Sequence, residues 1–126
     1  MSSATARDLI GGWRLTSWSY VYDDGRPDEH PLGAGARGLI LYTPTGQVSA
    51  TIMRADRSEC FAYAGHYEVK DGSVFHSIEI STNVALIGLT STRHIALAGD
   101  RLTLSGPDFA AGTGRTQKIV WSRIAR

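Results

Sequence analysis

The sequence predicts an all-β fold: an eight-stranded antiparallel up-and-down β-barrel with a short N-terminal helix. Three observations favour it. The strand-forming residues Val, Ile, Thr, Tyr and Trp are frequent in a chain of 126 residues that also has 14 glycines. Short alternating segments recur between turn signals, and the connections between those segments are alternately tight and long. The length suits one domain, so we expect residues 1–126 to form a single barrel.

The elements follow from the alternation of apolar and polar residues. The stretch 4–10 is the one helical candidate of note, and it lies before the first strand. Strands are predicted near 12–22, 37–43, 47–53, 61–70, 73–80, 88–97, 101–105 and 115–124.

The connections predict how these strands close. Three are tight and have hairpin chemistry: Thr43-Pro44-Thr45-Gly46, Asp71-Gly72 and Gly99-Asp100. Four are longer: 23–36, 54–60, 82–87 and 106–114. In a meander, alternate connections lie at the same end of the sheet, so the long loops collect at one end. Eight strands close into a barrel that either fills with side chains or holds one small ligand.

Composition excludes several classes of function. The net charge is +1, from 13 Lys and Arg against 12 Asp and Glu, without a basic face, so nucleic acid is not expected as a partner. The apolar runs are too short to span a membrane, and the N-terminus has no apolar segment typical of a secretory signal. One cysteine, Cys60, excludes an internal disulfide and a cysteine-based metal cage. We therefore expect a cytoplasmic protein with no membrane partner.

Motifs along the chain resemble those of lipocalin-type barrels. Gly11-Gly12-Trp13 looks like the Gly-x-Trp signature of lipocalins and calycins, and Trp121-Ser122-Arg123 is similar to the end where their arginine packs over that tryptophan. The chain more closely resembles the bacterial lipocalin-like domain family of small stand-alone barrels, through segments 9–15 (LIGGWRL), 38–44 (GLILYTP), 63–67 (YAGHY), 76–78 (HSI), 92–94 (TRH) and 99–104 (GDRLTL). The resemblance implies a ligand-holding barrel whose base is closed by Trp13 and Arg123.

Strand alternation predicts which side chains face the interior. His76 shares a face with Val74, Ile78 and Ile80, and Arg93 shares one with Leu89, Ile95 and Leu97. On the strand before them, Tyr63 and Tyr67 point inward. A two-residue turn at Asp71-Gly72 pairs Tyr67 with His76, and a connection centred on 82–87 pairs His76 with Arg93. The prediction is a Tyr67–His76–Arg93 row across three strands.

This row suits acid/base chemistry. Arg93 would hold a carboxylate or enolate oxygen, since none of the 12 acidic residues falls on the predicted interior faces. His76, kept neutral by partial burial and by Arg93, would act as a general base, and Tyr67 would orient it or donate to an oxyanion. Further ligand-binding side chains are expected from Tyr42, Tyr63, Ser17 and Ser49.

A metal site is not expected, because alternation puts His66 and His94 outside while His76 lies inside, and no phosphate-binding glycine loop indicates another cofactor. Three functions stay open. The first is a cofactor-free cyclase, isomerase or lyase acting on a small, largely apolar or anionic ligand in small-molecule or natural-product metabolism. The second is a non-catalytic binding or carrier protein. The third is a filled barrel that forms a homodimer through an outer aromatic patch of Trp18, Tyr20 and Tyr22.

Overall fold

The computed structural model describes residues 4–107 and 114–125. A short helix, α1 (Ala6–Leu9), comes first. The strands are β1 (Gly11–Tyr22), β2 (Arg37–Tyr42), β3 (Gln47–Met53), β4 (Cys60–Lys70), β5 (Ser73–Ser81), β6 (Thr90–Ala98), β7 (Arg101–Pro107) and β8 (Arg115–Ala125). Each strand pairs antiparallel with its neighbours, and β8 pairs with β1, so the barrel is closed. The predicted fold class is confirmed.

The two ends of the barrel differ, as the connections predict. The tight turns at 43–46, 71–72 and 99–100 lie at one end, which we call the base. Connections 23–36, 54–59 and 82–89 lie at the opposite end, the rim. The fourth long connection also leaves β7 there, but residues 108–113 lie outside the described part of the chain. A 3₁₀ turn over Val84–Leu86, which the alternation does not predict, lies in the β5–β6 connection.

Helix α1 and Arg123 close the base. Trp13 is fully buried, and its indole Nε1 donates to the carbonyl of Leu9 at 2.9 Å. The Arg123 guanidinium lies 4.0 Å from the centre of the Trp13 ring, and it donates to the carbonyls of Ile10 at 3.3 Å and Asp8 at 2.7 Å. Both side chains therefore lie at the end where the family resemblance places them, and they join the helix to the first and last strands.

A β-bulge in β1 changes which of its side chains face inward. Leu15 pairs with Trp121 but Ser17 pairs with Val120, so Thr16 is an extra residue on this strand. Beyond the bulge the alternation is reversed, and Trp18 turns into the barrel, where it is only 9% exposed. The prediction of an outer aromatic patch that includes Trp18 is therefore wrong, and a homodimer interface cannot rest on it.

A second bulge lies near the rim of β5. Ala64 pairs with Ile80 and Gly65 with Ile78, which leaves Glu79 as the extra residue. Ile80 is consequently 65% exposed on the outer surface, and its predicted inward orientation is wrong. A one-residue insertion has this effect because side chains alternate with a period of two.

The predicted β4–β5 register is confirmed, since Tyr67 pairs with His76. The β5–β6 register is two residues from the prediction: His76 pairs with Ser91, and Arg93 pairs with Val74. The hydrogen bonds between the two strands continue as far as Ile78, whose backbone bonds to Leu89 and Gly88. The connection is therefore not centred on 82–87, because the pairing of His76 with Ser91 centres it one residue earlier in the chain. A two-residue slip keeps Arg93 on the inner face, but Leu89 precedes β6 and is 45% exposed, against its predicted inward position.

In the described part of the chain, no helix is both long and apolar enough to cross a membrane.

Candidate functional site

A small cavity lies inside the barrel on the rim side of the packed base. The cavity has only ≈ 20 Å³ of space available to water, which is enough for roughly one to three molecules. Its wall is mainly apolar and aromatic, with a few polar side chains, and consists of Trp18, Ile40, Ala50, Ile52, Phe61, Tyr63, His76, Arg93, Leu104, Gln117, Ile119 and Trp121. The predicted cup is thus largely filled, with a polar cluster at the space that remains.

His76 lies at the centre of the polar cluster and is 1% exposed. Both ring nitrogens have tyrosine partners: Tyr42 Oη lies 2.7 Å from Nε2, and Tyr63 Oη lies 2.7 Å from Nδ1. Burial, and to a lesser degree the charge of Arg93, lowers the pKa of His76 to about 3. The imidazole is therefore neutral at pH 7, as predicted from the sequence, but neither nitrogen is left open for a general base.

The two tyrosines keep their hydrogens. Burial raises the pKa of Tyr63 to about 12, although the nearby charge of Arg93 acts in the opposite direction. Burial also raises the pKa of Tyr42 well above its usual value. At neutral pH both hydroxyls are consequently hydrogen-bond donors as well as acceptors.

Tyr67 does not take the predicted position beside the imidazole. It pairs with His76 along the backbone, but its hydroxyl donates to the carbonyl of Thr43 at 2.8 Å, at the base. Its ring packs edge-on against Tyr42, with ring centres 4.8 Å apart. Tyr42 therefore has the contact with the imidazole that we expected of Tyr67. Since Arg93 is also displaced by two residues, the Tyr67–His76–Arg93 row is not present as predicted.

Arg93 is buried at the cavity, near the rim end of β7. Its Nη1 donates to the carbonyls of Thr92 at 3.0 Å and Pro107 at 3.2 Å. Gly106 lies opposite, where an added Cβ atom would collide with the carbonyl oxygen of Thr92 and approach Nη1 of Arg93 to 3.1 Å, so the missing side chain makes room for both. Two hydrogen bonds of Arg93 thus go to backbone carbonyls of the barrel wall.

Two expected hydroxyls lie outside the site. Ser49 is exposed on the outer face of β3, because Val48 and Ala50 on either side of it point inward. Ser17 follows the Thr16 bulge, which turns its neighbour Trp18 toward the cavity and Ser17 away from it. The prediction that these serines contact an interior ligand is therefore wrong.

Three polar side chains of the interior were not predicted. Gln117 is 3% exposed and accepts a hydrogen bond from Trp18 Nε1 through Oε1, at 3.2 Å. Trp121 Nε1 and the Ser91 hydroxyl are buried with no hydrogen-bond partner in the structure as described. The alternation of Gln117, Ile119 and Trp121 along β8 is the signal that would have indicated Gln117.

Among residues 4–107 and 114–125, no three His, Cys, Asp or Glu side chains converge as metal ligands. His66 pairs with Glu79 at 3.1 Å on the outer surface, and His94 is also exposed. Both lie on the side to which alternation assigned them.

Comparison with known proteins agrees with this architecture. The family described as a lipocalin-like domain matches residues 10–62 and 58–124, which together reach all eight strands. No curated protein matches the sequence at a significant level. The family match confirms the resemblance noted in the sequence, and the closed barrel has the corresponding topology. The chain therefore belongs to the lipocalin-like domain family.

Proposed function

We propose that this protein binds a small, largely apolar ligand that bears a carbonyl or carboxylate group, inside the barrel. The observation that carries the proposal is the polar cluster of His76, Arg93 and Gln117 beside a cavity with otherwise apolar walls. Small-molecule sites have this composition: apolar surface for most of the ligand and a few polar groups that orient it.

The burial of the polar cluster supports a binding role. Moving an arginine and two polar side chains out of water is costly unless they gain partners. Arg123 closes the base, whereas Arg93 lines the cavity. We attribute the presence of Arg93 and its polar neighbours beside the cavity to recognition of an oxygen-bearing ligand.

Access would be from the rim. Phe61 and Trp18 stack with ring centres 5.8 Å apart and form part of the cavity wall. A ligand larger than a few waters has to displace side chains of this kind, because the base is blocked by Trp13 and helix α1.

A thermal-shift screen tests the proposal. The panel contains apolar carboxylic acids, enones and phenols, with saturated hydrocarbons of similar size as the control set. Any compound that binds the folded state raises the melting temperature in a concentration-dependent manner. We expect oxygenated compounds to do so, and we expect a smaller shift with Arg93→Ala. A panel without any stabilising compound would contradict the proposal and favour the filled, structural barrel.

Cofactor-free acid/base catalysis on the bound ligand, such as cyclisation, isomerisation or elimination, is the second candidate. The observation in its favour is the hydrogen-bonded chain Tyr42–His76–Tyr63, which ends at the cavity. In this version a tyrosine hydroxyl stabilises a developing oxyanion, and His76 supports it instead of acting as the base. Incubation of a stabilising compound with wild type and His76→Gln, followed by mass spectrometry, tests it. Turnover in wild type that is lost in a variant that still binds is the expected result, and unchanged compound in both excludes catalysis of that ligand.

A further inference from the structure

We propose that the cavity recognises its ligand through hydrogen-bond donors from Tyr63, Gln117 and Trp121, and that it therefore selects a carbonyl or carboxylate oxygen over a hydroxyl group. The inference rests on the proposed binding function and specifies which ligand atom is read and by which side chains. All three side chains form part of the cavity wall.

The orientation of the Gln117 amide follows from its neighbour. An indole N–H is only a donor, so the amide atom facing Trp18 Nε1 at 3.2 Å has to be the oxygen, Oε1. Nε2 is thereby the other amide atom, and it has no hydrogen-bond partner in the described part of the chain. The Nε2 amide of Gln117 can therefore donate a hydrogen bond to an occupant of the cavity.

The second donor follows from the tautomer of His76. A neutral imidazole has one N–H and one bare nitrogen, so one of its tyrosine partners donates to the ring and the other accepts from it. Tyr42 is buried away from the cavity, and within the described chain Nε2 is the one acceptor its hydroxyl has. We therefore assign donation from Tyr42 to Nε2 and from Nδ1–H to Tyr63 Oη. The Tyr63 hydroxyl hydrogen is then available to the cavity that this side chain lines.

The opposite tautomer would leave a buried donor without a partner. Tyr63 would then donate to Nδ1, and the hydroxyl hydrogen of Tyr42 would have no acceptor among the described residues. An unsatisfied buried donor costs about 1–3 kcal/mol, which favours the first arrangement.

Trp121 supplies the third donor. Its side chain lines the cavity, and its Nε1 is fully buried without a partner among the described residues. Three acceptors at this site already accept a hydrogen bond: Nε2 of His76 from Tyr42, Oη of Tyr63 from Nδ1–H of His76, and Oε1 of Gln117 from Trp18. An occupant with bare oxygen lone pairs satisfies the donors, whereas an alcohol brings a further hydrogen that lacks an acceptor.

Matched ligand pairs test the selection. The affinities of acetophenone and 1-phenylethanol, and of benzoate and benzyl alcohol, are measured by calorimetry with the 126-residue chain. We expect the carbonyl or carboxylate compound to bind about ten-fold more tightly than its alcohol. The two pairs also distinguish a neutral from an anionic oxygen as the preferred group.

Variants connect the preference to the named donors. Tyr63→Phe and Trp121→Phe each remove one donor and should reduce the preference several-fold, whereas Tyr67→Phe removes a hydroxyl bonded to the base and should retain it. The infrared carbonyl band of bound acetophenone gives a second readout. It should lie at lower frequency in wild type than in an apolar solvent and should move back toward the solvent value in Tyr63→Phe.

The outcomes separate this inference from the proposed function. Equal affinities within each pair, together with an unchanged carbonyl band in Tyr63→Phe, would overturn the donor assignment and leave the binding function standing. If neither member of either pair binds and the thermal-shift panel is also negative, the binding function fails, and this inference fails with it.

Discussion

At the scale of single residues, the interior is organised around a histidine that is kept neutral. His76 is 1% exposed, and its two nitrogens are hydrogen-bonded to Tyr42 and Tyr63. Protonation of the imidazole would place a second positive charge beside Arg93 in a buried site and would turn one tyrosine contact from favourable to unfavourable. The neutral ring and its two hydroxyls therefore act as one structural unit.

This arrangement predicts a loss of stability in mild acid. The pKa of His76 is about 3 in the folded protein and near the ordinary 6.5 when unfolded, so the unfolded chain binds a proton that the folded chain excludes. The stabilisation is complete above the unfolded value and falls as the pH decreases toward the folded one. Between pH 7 and pH 5 we expect the free energy of unfolding to drop by about 2 kcal/mol, measured by urea denaturation.

The control for the pH effect is His76→Gln, which has no titrating group at this position. We expect this variant to be less stable at pH 7 but to lose clearly less stability between pH 7 and pH 5 than wild type. The same pH dependence in both proteins would contradict the assignment of the effect to His76.

At the scale of elements, two bulges determine which face of a strand reaches the interior. Thr16 in β1 turns Trp18 inward, and Glu79 in β5 turns Ile80 outward. The β5 bulge faces Gly65 of β4, where the two backbones come so close that a Cβ atom would collide with the carbonyl oxygen of Ser77. Gly65 is thus required by close approach and not by a left-handed backbone.

We predict that Gly65→Ala disturbs the pairing of β4 and β5. Relief of the collision requires backbone movement, and overpacking of this kind typically costs about 1–3 kcal/mol. The matched control is Gly35→Ala, whose added methyl would meet Ala55 at an ordinary 3.6 Å. Chemical denaturation of both variants checks the prediction. Equal stability of the two would show that the bulge yields to a side chain at residue 65.

At the scale of the whole molecule, the barrel has one closed end and one end with long connections. The closed end depends on Arg123, which stacks on Trp13 and donates to two carbonyls of the N-terminal segment. This planar, forked set of contacts is specific to a guanidinium. The cavity is lined by other residues, so the proposed ligand site and the closure of the base are separate.

We predict that Arg123→Lys weakens the base, because an ammonium cannot reproduce both the stacking and the paired hydrogen bonds. The expected loss is about 1–2 kcal/mol in the free energy of unfolding, with faster amide exchange in helix α1. Arg101→Lys, an exposed arginine at the same end of the barrel, serves as the control and should leave both quantities unchanged. If Arg123→Lys behaves like this control, the closure does not depend on the guanidinium.

Much of the fold and part of the site follow from local chemistry in the chain. Strand alternation has a period of two and turn preferences depend on a few neighbouring residues, so the eight strands, the tight turns and the order of connections are predicted. The same alternation assigns His76, Arg93 and Tyr63 to the interior, and the two-residue turn at Asp71-Gly72 predicts the pairing of Tyr67 with His76.

Packing across the barrel determined the remaining features. The bulges at Thr16 and Glu79 and the two-residue slip between β5 and β6 depend on how closed strands fit together, and no single segment contains that information. The direction of each hydroxyl depends on acceptors far away in sequence. The Tyr67 hydroxyl bonds to the carbonyl of Thr43, and the Tyr42 hydroxyl bonds to Nε2 of His76. The alternation along β8 assigns Gln117 and Trp121 to one face of the strand, but only the closure of β8 against β1 brings that face to the cavity.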